Sequence, residues 1–254
     1  MADVLLNSVK ERFPSTHTVL LDNLEAIISS LRENSRLASV LDLTEPRPSL
    51  YNSYIAFAVA IYVAKFKQLY ESIVNNLNHC HYLIYAQSGR SILENTATLR
   101  YYSRHKDLHA VRQALSTGSV PTSTLNTAIQ TVDKLIRGNR FTWQAFIERR
   151  FSELEDAPED PKLKQEHVQD CLRHWYKDNP SMKGLYNILS DLVHPNLGSN
   201  LTVIRAWDGK LTACGEKGEE MIMFVIAPTL AGIVGAYRVA QESFLTLEAT
   251  KIVE

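Results

Sequence analysis

Residues 50–77 read LYNSYIAFAVAIYVAKFKQLYESIVNNL, and this long apolar stretch decides the fold. Large apolar side chains such as Leu50, Phe57 and Ile61 recur in it at intervals of seven and four residues, the spacing of one helix face. A second helix is predicted over about residues 80–105, and it is equally rich in Tyr, Ala and Ile. We therefore predict that these two helices form the central buried pair of the protein.

The rest of the chain also has helical periodicity, and ten glycines among 254 residues is a low number. Further helices are predicted over residues 16–41, 122–137, 140–154, 163–177, 181–194 and 219–247. The sequence therefore predicts an all-α fold, a multi-helix bundle. We expect one helical domain over residues 1–254, in which residues 1–45 are an N-terminal helical extension and residues 50–250 form the core.

One β-strand signal stands out, near residues 201–214. Two segments of alternating character, residues 201–207 and 210–214, flank Asp208 and Gly209. Asp-Gly between such segments is a strong signal for a two-residue hairpin turn. We predict a small β-hairpin inserted into the helical bundle.

The charge balance limits the kinds of partner that the chain can have. Lys and Arg number 27 and Asp and Glu number 28, which argues against bulk electrostatic binding of nucleic acid, although a local patch can still bind RNA. The three cysteines, Cys80, Cys171 and Cys214, are a sparse, odd-numbered set that fits a reducing compartment. The N-terminal residues contain an early acid and no long apolar core, unlike a signal peptide. We expect a cytoplasmic protein.

Residues 221–237 contain no charged residue and are a candidate membrane segment. The segment is at the short limit for a membrane-spanning helix, and Pro228, Gly232 and Gly235 interrupt it. No second span accompanies it. We therefore predict a buried core helix here and no membrane partner.

The most informative motif for function is YNILSDLVHPN, residues 186–196. Proline disfavours the α conformation of the residue before it, so Pro195 predicts that the helix ends at His194. Tyr186 and Ser190 precede His194 by eight and four residues, which places all three on one helix face. An imidazole can act as an acid or a base near neutral pH. The alternative is that His194 caps the helix by bonding local carbonyls while Asn196 shapes the turn.

A second candidate set lies on the helix predicted over residues 80–105. Its members share one stripe of that helix, and they are Gln87, Arg90, Glu94, Tyr101 and either Arg104 or His105. Because residues 72–89 carry no charge, Arg90 and Glu94 are predicted to be the first charges inside the helical core. Two interpretations follow: a structural ion pair that fixes packing, or a polar pocket shared with His194.

Arg100 and His105 form a second Arg–His combination, with four residues between them. Five residues turn a helix by about 500°, so the two side chains point about 140° apart. They would meet only near a frayed helix end or across a dimer interface. The histidine and cysteine spacings match no metal-binding motif, and we expect neither a metal nor a cofactor.

The two motifs together, Arg-x-x-x-Glu at Arg90 and Tyr-x-x-x-Ser-x-x-x-His-Pro from Tyr186, resemble uncharacterised bacterial helical families near the HEPN superfamily. The resemblance covers roughly residues 50–240. It implies an all-α bundle of the HEPN-like type, usually a homodimer. Many members are metal-independent RNases of toxin–antitoxin, CRISPR-linked or phage-defence systems, and others have lost catalysis and serve in binding or assembly.

One departure from the superfamily pattern concerns the catalytic arginine. Catalytic members carry Arg and His on one helix with four to six residues between them, whereas positions 187–189 upstream of His194 are Asn, Ile and Leu. An arginine from another helix, such as Arg90, would have to replace the missing one in space.

The resemblance leads to two hypotheses. In the first, the protein is a metal-independent endoribonuclease. His194 would then be the general acid or base, Arg90 would stabilise charge on the scissile phosphate, and Glu94 would orient Arg90. Ser190 and Asn196 would position the RNA, and the other candidate ligand-binding residues are Tyr186, Tyr101, Arg100 and His105.

In the second hypothesis the protein is a non-catalytic helical module. It would bind a nucleotide, RNA or protein partner, such as an antitoxin or another defence-system protein, or serve in dimerisation.

Overall fold

The computed structural model describes residues 4–36, 39–138, 143–149, 166–195, 197–200, 203–213 and 225–252. Its helices are α1 (Asn7–Lys10), α2 (Thr18–Asn34), α3 (Arg47–Asn78), α4 (Tyr82–Ser103), α5 (Lys106–Ser116), α6 (Thr122–Arg137), α7 (Trp143–Ile147), α8 (Val168–Asp178), α9 (Ser181–Val193), α10 (Leu197–Asn200) and α11 (Ala227–Glu248). A short 3-10 turn at Ser15–His17 precedes α2. The predicted all-α multi-helix bundle is confirmed.

Helices α3 and α4 form an antiparallel hairpin at the centre of the molecule, and both have long buried faces. Ser72 and Ser88 join the two helices through a hydrogen bond of 2.8 Å between their hydroxyl oxygens. Pro48 lies in the first turn of α3, where the backbone N–H that proline lacks would have no partner within the helix. Cys80, with a φ of 53°, reverses the chain between the two helices. The predicted central pair is therefore confirmed.

Helix α11 packs against both members of the central pair, parallel to α4 and antiparallel to α3. The Tyr85 hydroxyl lies 3.0 Å from Thr229 Oγ1, and the Tyr70 hydroxyl donates to the Ile233 carbonyl at 2.7 Å. Nearer the C-terminus, the Tyr51 hydroxyl donates to Thr250 Oγ1 at 2.6 Å. Tyrosines of the central pair therefore fix the position of α11 through buried hydrogen bonds.

The N-terminal helix α2 shares the core of the bundle. Leu24 and Leu31 of α2 are fully buried, and the Arg32 Nε atom lies 2.8 Å from Glu71 Oε1 on α3. Packing of the N-terminal segment therefore joins it to the hairpin of α3 and α4.

The hairpin prediction is confirmed for the described residues. Strands β1 (Ile204–Trp207) and β2 (Lys210–Ala213) pair antiparallel, with Trp207 opposite Lys210. Asp208 and Gly209 form the turn with φ values of 48° and 69°, the left-handed conformation that Asp-Gly tolerates.

Several predicted helix boundaries need correction. Helix α2 ends at Asn34 rather than at residue 41. The helix predicted over residues 140–154 is described only as the short α7, which gives way to a turn with Arg149 at a φ of 56°. Helix α9 ends at Val193, one residue early, because Pro195 drives His194 into extended backbone with a ψ of 146°.

The described part of the former membrane candidate is the start of α11. Leu230, Ile233 and Ala236 are completely buried there, as predicted for a core helix. Among the residues that the structure describes, no helix is both long enough and apolar enough to cross a bilayer.

Candidate functional site between α4 and α9

A polar cluster forms where α4 and α9 pack together. The Arg90 Nε atom lies 2.9 Å from Glu94 Oε1, and the Tyr186 hydroxyl donates to the same carboxylate oxygen at 2.8 Å. The Arg90 guanidinium also lies over the Tyr186 ring, with 5.4 Å from its carbon to the ring centroid. The structure therefore brings together three predicted site residues from helices that are about ninety positions apart in the chain.

Helix α8 adds two residues to this cluster that the sequence analysis did not select. Gln169 Nε2 donates to the Tyr186 hydroxyl at 3.0 Å. Burial raises the pKa of Tyr176 to about 12, and the neighbouring Tyr186 and Glu94 reinforce the shift. Gln169 and Tyr176 are seven residues apart, so they share one helix face. In the sequence, only this spacing indicates that Gln169 and Tyr176 belong to the same site.

The cluster is half-buried rather than enclosed. The Arg90 and Glu94 side chains are 27% and 26% exposed, which corrects the prediction that they lie inside the core. Partial burial lowers the pKa of Arg90, but bonding to Glu94 and Tyr186 outweighs it and the net shift is upward. Nε donates to Glu94, so most guanidinium N–H groups are left for other acceptors. Arg90 is thus a permanently charged group held in one orientation at the protein surface.

Ser190 and His194 continue along α9 beyond this cluster. Two contacts give the direction of α9 relative to α4. Glu94 contacts Tyr186, and a Cβ added at Gly89 would lie 3.3 Å from Leu189 Cδ1. The later residue of α4 thus meets the earlier residue of α9, so the two helices run antiparallel. His194 therefore lies past Arg90 on the side away from Glu94, about 12 Å from Tyr186 along the helix axis.

The Ser190 hydroxyl oxygen is buried and has no partner among the described residues. The His194 side chain is exposed, and no described contact joins it to Arg90 or Glu94. Asn196, the last residue of the motif, lies outside the described residues. We use the term α4–α9 seam for Arg90, Glu94, Tyr186, Ser190 and His194.

The other predicted ligand-binding residues lie at the opposite end of α4. Arg100 is 7% exposed and forms an ion pair with Asp178. Burial lowers the pKa of Arg100, and the adjacent charge of Arg104 lowers it further. Since Arg100 follows Arg90 by ten residues, about 15 Å of helix separates them. The structure therefore places Arg100 in an ion pair outside the seam.

Tyr101 and His105 accompany Arg100 at that end. The Tyr101 ring packs against the rings of His174 and His105, with centroid distances of 5.2 and 6.2 Å. His105 caps α5, where its Nδ1 atom accepts from the Asp107 backbone N–H at 3.4 Å. The structure does not bring these residues to the α4–α9 seam.

A polar cleft of about 290 Å³ opens beside Glu94, between α3, α4 and the end of α6. Its polar lining includes Lys65, Asn95, Thr98 and Arg137. The Lys65 Nζ atom lies 4.7 Å from the centroid of the Tyr62 ring, and burial lowers the pKa of Lys65. Glu94 therefore lies between the Arg90 guanidinium and this cleft, whose lining includes the cationic side chains of Lys65 and Arg137.

Within the described ranges, no group of three or more His, Cys, Asp and Glu residues could hold a metal ion. Comparisons with known proteins give no match, whether with family models, curated proteins or solved structures. The fold and the candidate site are therefore the basis on which the protein is classified. It is an all-α bundle with a half-buried, hydrogen-bonded arginine between two packed helices.

Proposed function

We propose that this chain is a HEPN-like protein that binds a phosphate of RNA at the α4–α9 seam. The observation that carries the proposal is the oriented guanidinium of Arg90, fixed by Glu94 and Tyr186 and open to solvent on one side. Planar guanidinium groups bind phosphate through paired, charge-assisted hydrogen bonds. A guanidinium already held in place loses less side-chain entropy when it binds.

The polar cleft beside Glu94 supports RNA over an isolated phosphate. Lys65 lines this cleft and supplies positive charge next to the seam, although the whole chain has a net charge of −1 and Arg137, which also lines the cleft, is paired with Asp133. Local charge of this kind is sufficient for RNA contact when bulk charge is not. A nucleotide adjacent to the phosphate at Arg90 would then occupy the cleft.

The binding proposal is tested by fluorescence polarisation with a labelled single-stranded RNA. Arg90→Gln is expected to weaken binding at least tenfold, since a hydrogen bond to a charged group is worth about 1.5–3 kcal/mol. The slope of log Kd against log salt should also fall by about one.

Arg47→Gln is the matched control for this measurement. Arg47 is exposed at the first residue of α3. Since Ser72 of α3 lies beside Ser88 of α4, about 37 Å of helix separates Arg47 from the level of the seam, and its loss removes the same charge far from Arg90. Equal affinity of the Arg90 and Arg47 variants, both folded by circular dichroism, would overturn the proposal.

A second candidate function is metal-independent cleavage of the bound RNA. The observation that favours it is the exposed His194 at the end of α9, on the same helix as Tyr186 and past Arg90 along the seam. In this mechanism His194 would exchange a proton with the reacting hydroxyl while Arg90 stabilises charge on the phosphate. Because the Ser190 hydroxyl oxygen is buried, it cannot contact the RNA in this arrangement and has no part in the proposed mechanism.

Cleavage is tested with wild type and His194→Ala in the presence of a metal chelator. Wild type is expected to cut the RNA, and the variant is expected to bind it with unchanged affinity but leave it intact. Binding without cleavage by wild type would leave the non-catalytic module as the function. A role in toxin–antitoxin or phage defence and the homodimer remain proposals that come from the resemblance.

A further inference from the structure

A second cleft, distinct from the α4–α9 seam, lies at the far end of α4. Its volume is about 280 Å³, and it is formed where the end of α4, the helix α5 and the end of α11 meet. The residues that line it include Arg104, Leu108, His109, Arg112 and Thr246. We use the term basic cleft for this space.

Every ionisable side chain that lines the basic cleft is basic. Arg104 lies 3.6 Å from Asp178 and is 55% exposed, which leaves its guanidinium accessible. The side chains of His109 and Arg112 make no hydrogen bond or ion pair with other described residues, and both are exposed. No carboxylate is among the described residues that line the cleft. Two guanidinium groups and one imidazole therefore surround it.

The hydroxyl groups of the basic cleft are already committed within the protein. Ser103 Oγ donates to the Arg100 carbonyl at 3.1 Å, and Thr246 Oγ1 donates to the Glu242 carbonyl at 2.7 Å. Thr250 Oγ1 donates to the Leu247 carbonyl at 2.7 Å while it accepts from Tyr51. The remaining donors in the cleft are thus the guanidinium groups of Arg104 and Arg112 and the His109 ring, and the two permanent positive charges favour an anion.

We propose that the basic cleft binds a phosphate monoester. Such a group carries a charge of about −1.5 to −2 near neutral pH and has three strong acceptor oxygens, which matches two guanidinium groups and an imidazole. A space of about 280 Å³ is roughly nine times the volume of one liquid water, so it holds more than a phosphate alone. The ligand therefore carries a group beyond the phosphate, and, resting on the proposed RNA function, we take that group to be a ribose, from a free nucleotide or from a phosphorylated RNA end.

The site is tested by isothermal titration calorimetry at physiological salt. The probes are adenosine monophosphate, adenosine, and one short RNA with and without a 5′-phosphate. The RNA probes are measured on the Arg90→Gln variant, so that the α4–α9 seam contributes little to their binding. Adenosine monophosphate or the phosphorylated RNA is expected to bind, and the probe of the same pair that lacks the terminal phosphate is expected to bind at least tenfold more weakly. A response to the mononucleotide alone assigns a free nucleotide, and a response to the phosphorylated RNA alone assigns an RNA end.

Arg112→Gln and Arg104→Gln are expected to weaken the bound probe at least tenfold each. Lys106→Gln is the matched control, because Lys106 is an exposed cation on the same helix α5 that does not line the cleft. Its effect should be below twofold. Equal binding within both pairs of probes, or equal affinity of the Arg112 and Lys106 variants, would overturn the proposal. Arg90→Gln should leave the binding of adenosine monophosphate and the difference between the two RNA probes unchanged, so failure of the seam and failure of the basic cleft give different results.

Discussion

Two tyrosines beside the seam show how differently buried hydroxyl groups contribute at the residue scale. The Tyr186 hydroxyl donates to Glu94 at 2.8 Å and accepts from Gln169 at 3.0 Å. The Tyr176 hydroxyl is buried with no partner among the described residues. A satisfied hydrogen bond to a carboxylate stabilises the fold, whereas an unsatisfied buried hydroxyl retains its desolvation cost.

Removing each hydroxyl should therefore have opposite effects on stability. Tyr186→Phe is expected to lower the free energy of unfolding by about 1.5–3 kcal/mol, because it also leaves Gln169 without its acceptor. Tyr176→Phe is expected to leave that energy unchanged or raise it by up to about 1 kcal/mol. Urea unfolding followed by circular dichroism measures both. Equal losses in the two variants would contradict this account of the cluster.

At the element scale, three helical glycines show where close packing of helices requires glycine and where it does not. A Cβ on Gly89 would lie 2.6 Å from Ile233 Cδ1, and one on Gly232 would overlap the Leu185 side chain. A Cβ on Gly235, on the same helix as Gly232, would meet nothing within 4 Å. Gly89 and Gly232 thus allow α4, α9 and α11 to approach one another, while Gly235 has no such role.

Alanine substitutions test this distinction. Gly89→Ala and Gly232→Ala are expected to destabilise the protein by about 1–3 kcal/mol each through overpacking. Gly235→Ala should stabilise it by about 0.5–1 kcal/mol, because alanine favours the helix and meets no neighbour. Thermal unfolding of the three variants side by side decides it. Stabilisation by Gly232→Ala would show that α9 and α11 are not in close contact.

Helices and turns were predictable from the sequence where the residues immediately around them determine their conformation. Helix α6 spans residues 122–137 as predicted, because Gly138 ends it with a φ of 71°. The Asp208-Gly209 turn and the i, i+4 pairing of Arg90 with Glu94 are likewise local. Such signals require only the few residues around them.

Beyond the central pair, contacts between helices were not predictable from the same patterns. Gln169 and Tyr176 join the seam because α8 packs on α4, and periodicity does not say which helices pack together. Arg100, expected to bind a ligand, is buried against Asp178 at the end of α8 for the same reason. The partners of a half-buried charge are set by tertiary packing, so that part of the site required a structure.

At the scale of the whole molecule, buried tyrosines are spread through the core alongside more numerous leucines. Burial raises the pKa of Tyr51, Tyr54 and Tyr102 to about 12 each, above the ordinary value of 10.0. These phenols come from α3 and α4, so their protonation is coupled to the integrity of the central hairpin. A phenol with a raised pKa in the folded state favours folding only while it is protonated there.

The fold should therefore be lost at alkaline pH through these groups. Their contribution is fully present below pH 10.0, the unfolded value, and is lost as pH rises toward about 12, the folded value. Tyrosinate absorbance and circular dichroism are expected to change together in that window. Ionisation of all tyrosines near pH 10.0 with the helical signal intact would contradict the burial described here.

Helix α4 is surrounded by α3, α9 and α11, and its buried residues run from Tyr82 to Ser103. No single neighbour can leave and expose the backbone of α4 to water, because the remaining helices still cover it. Its amide protons should therefore exchange with deuterium only through global opening, at the slowest rate in the chain. The candidate site is thus built on a helix that several neighbours cover, so ligands would meet a preformed surface there.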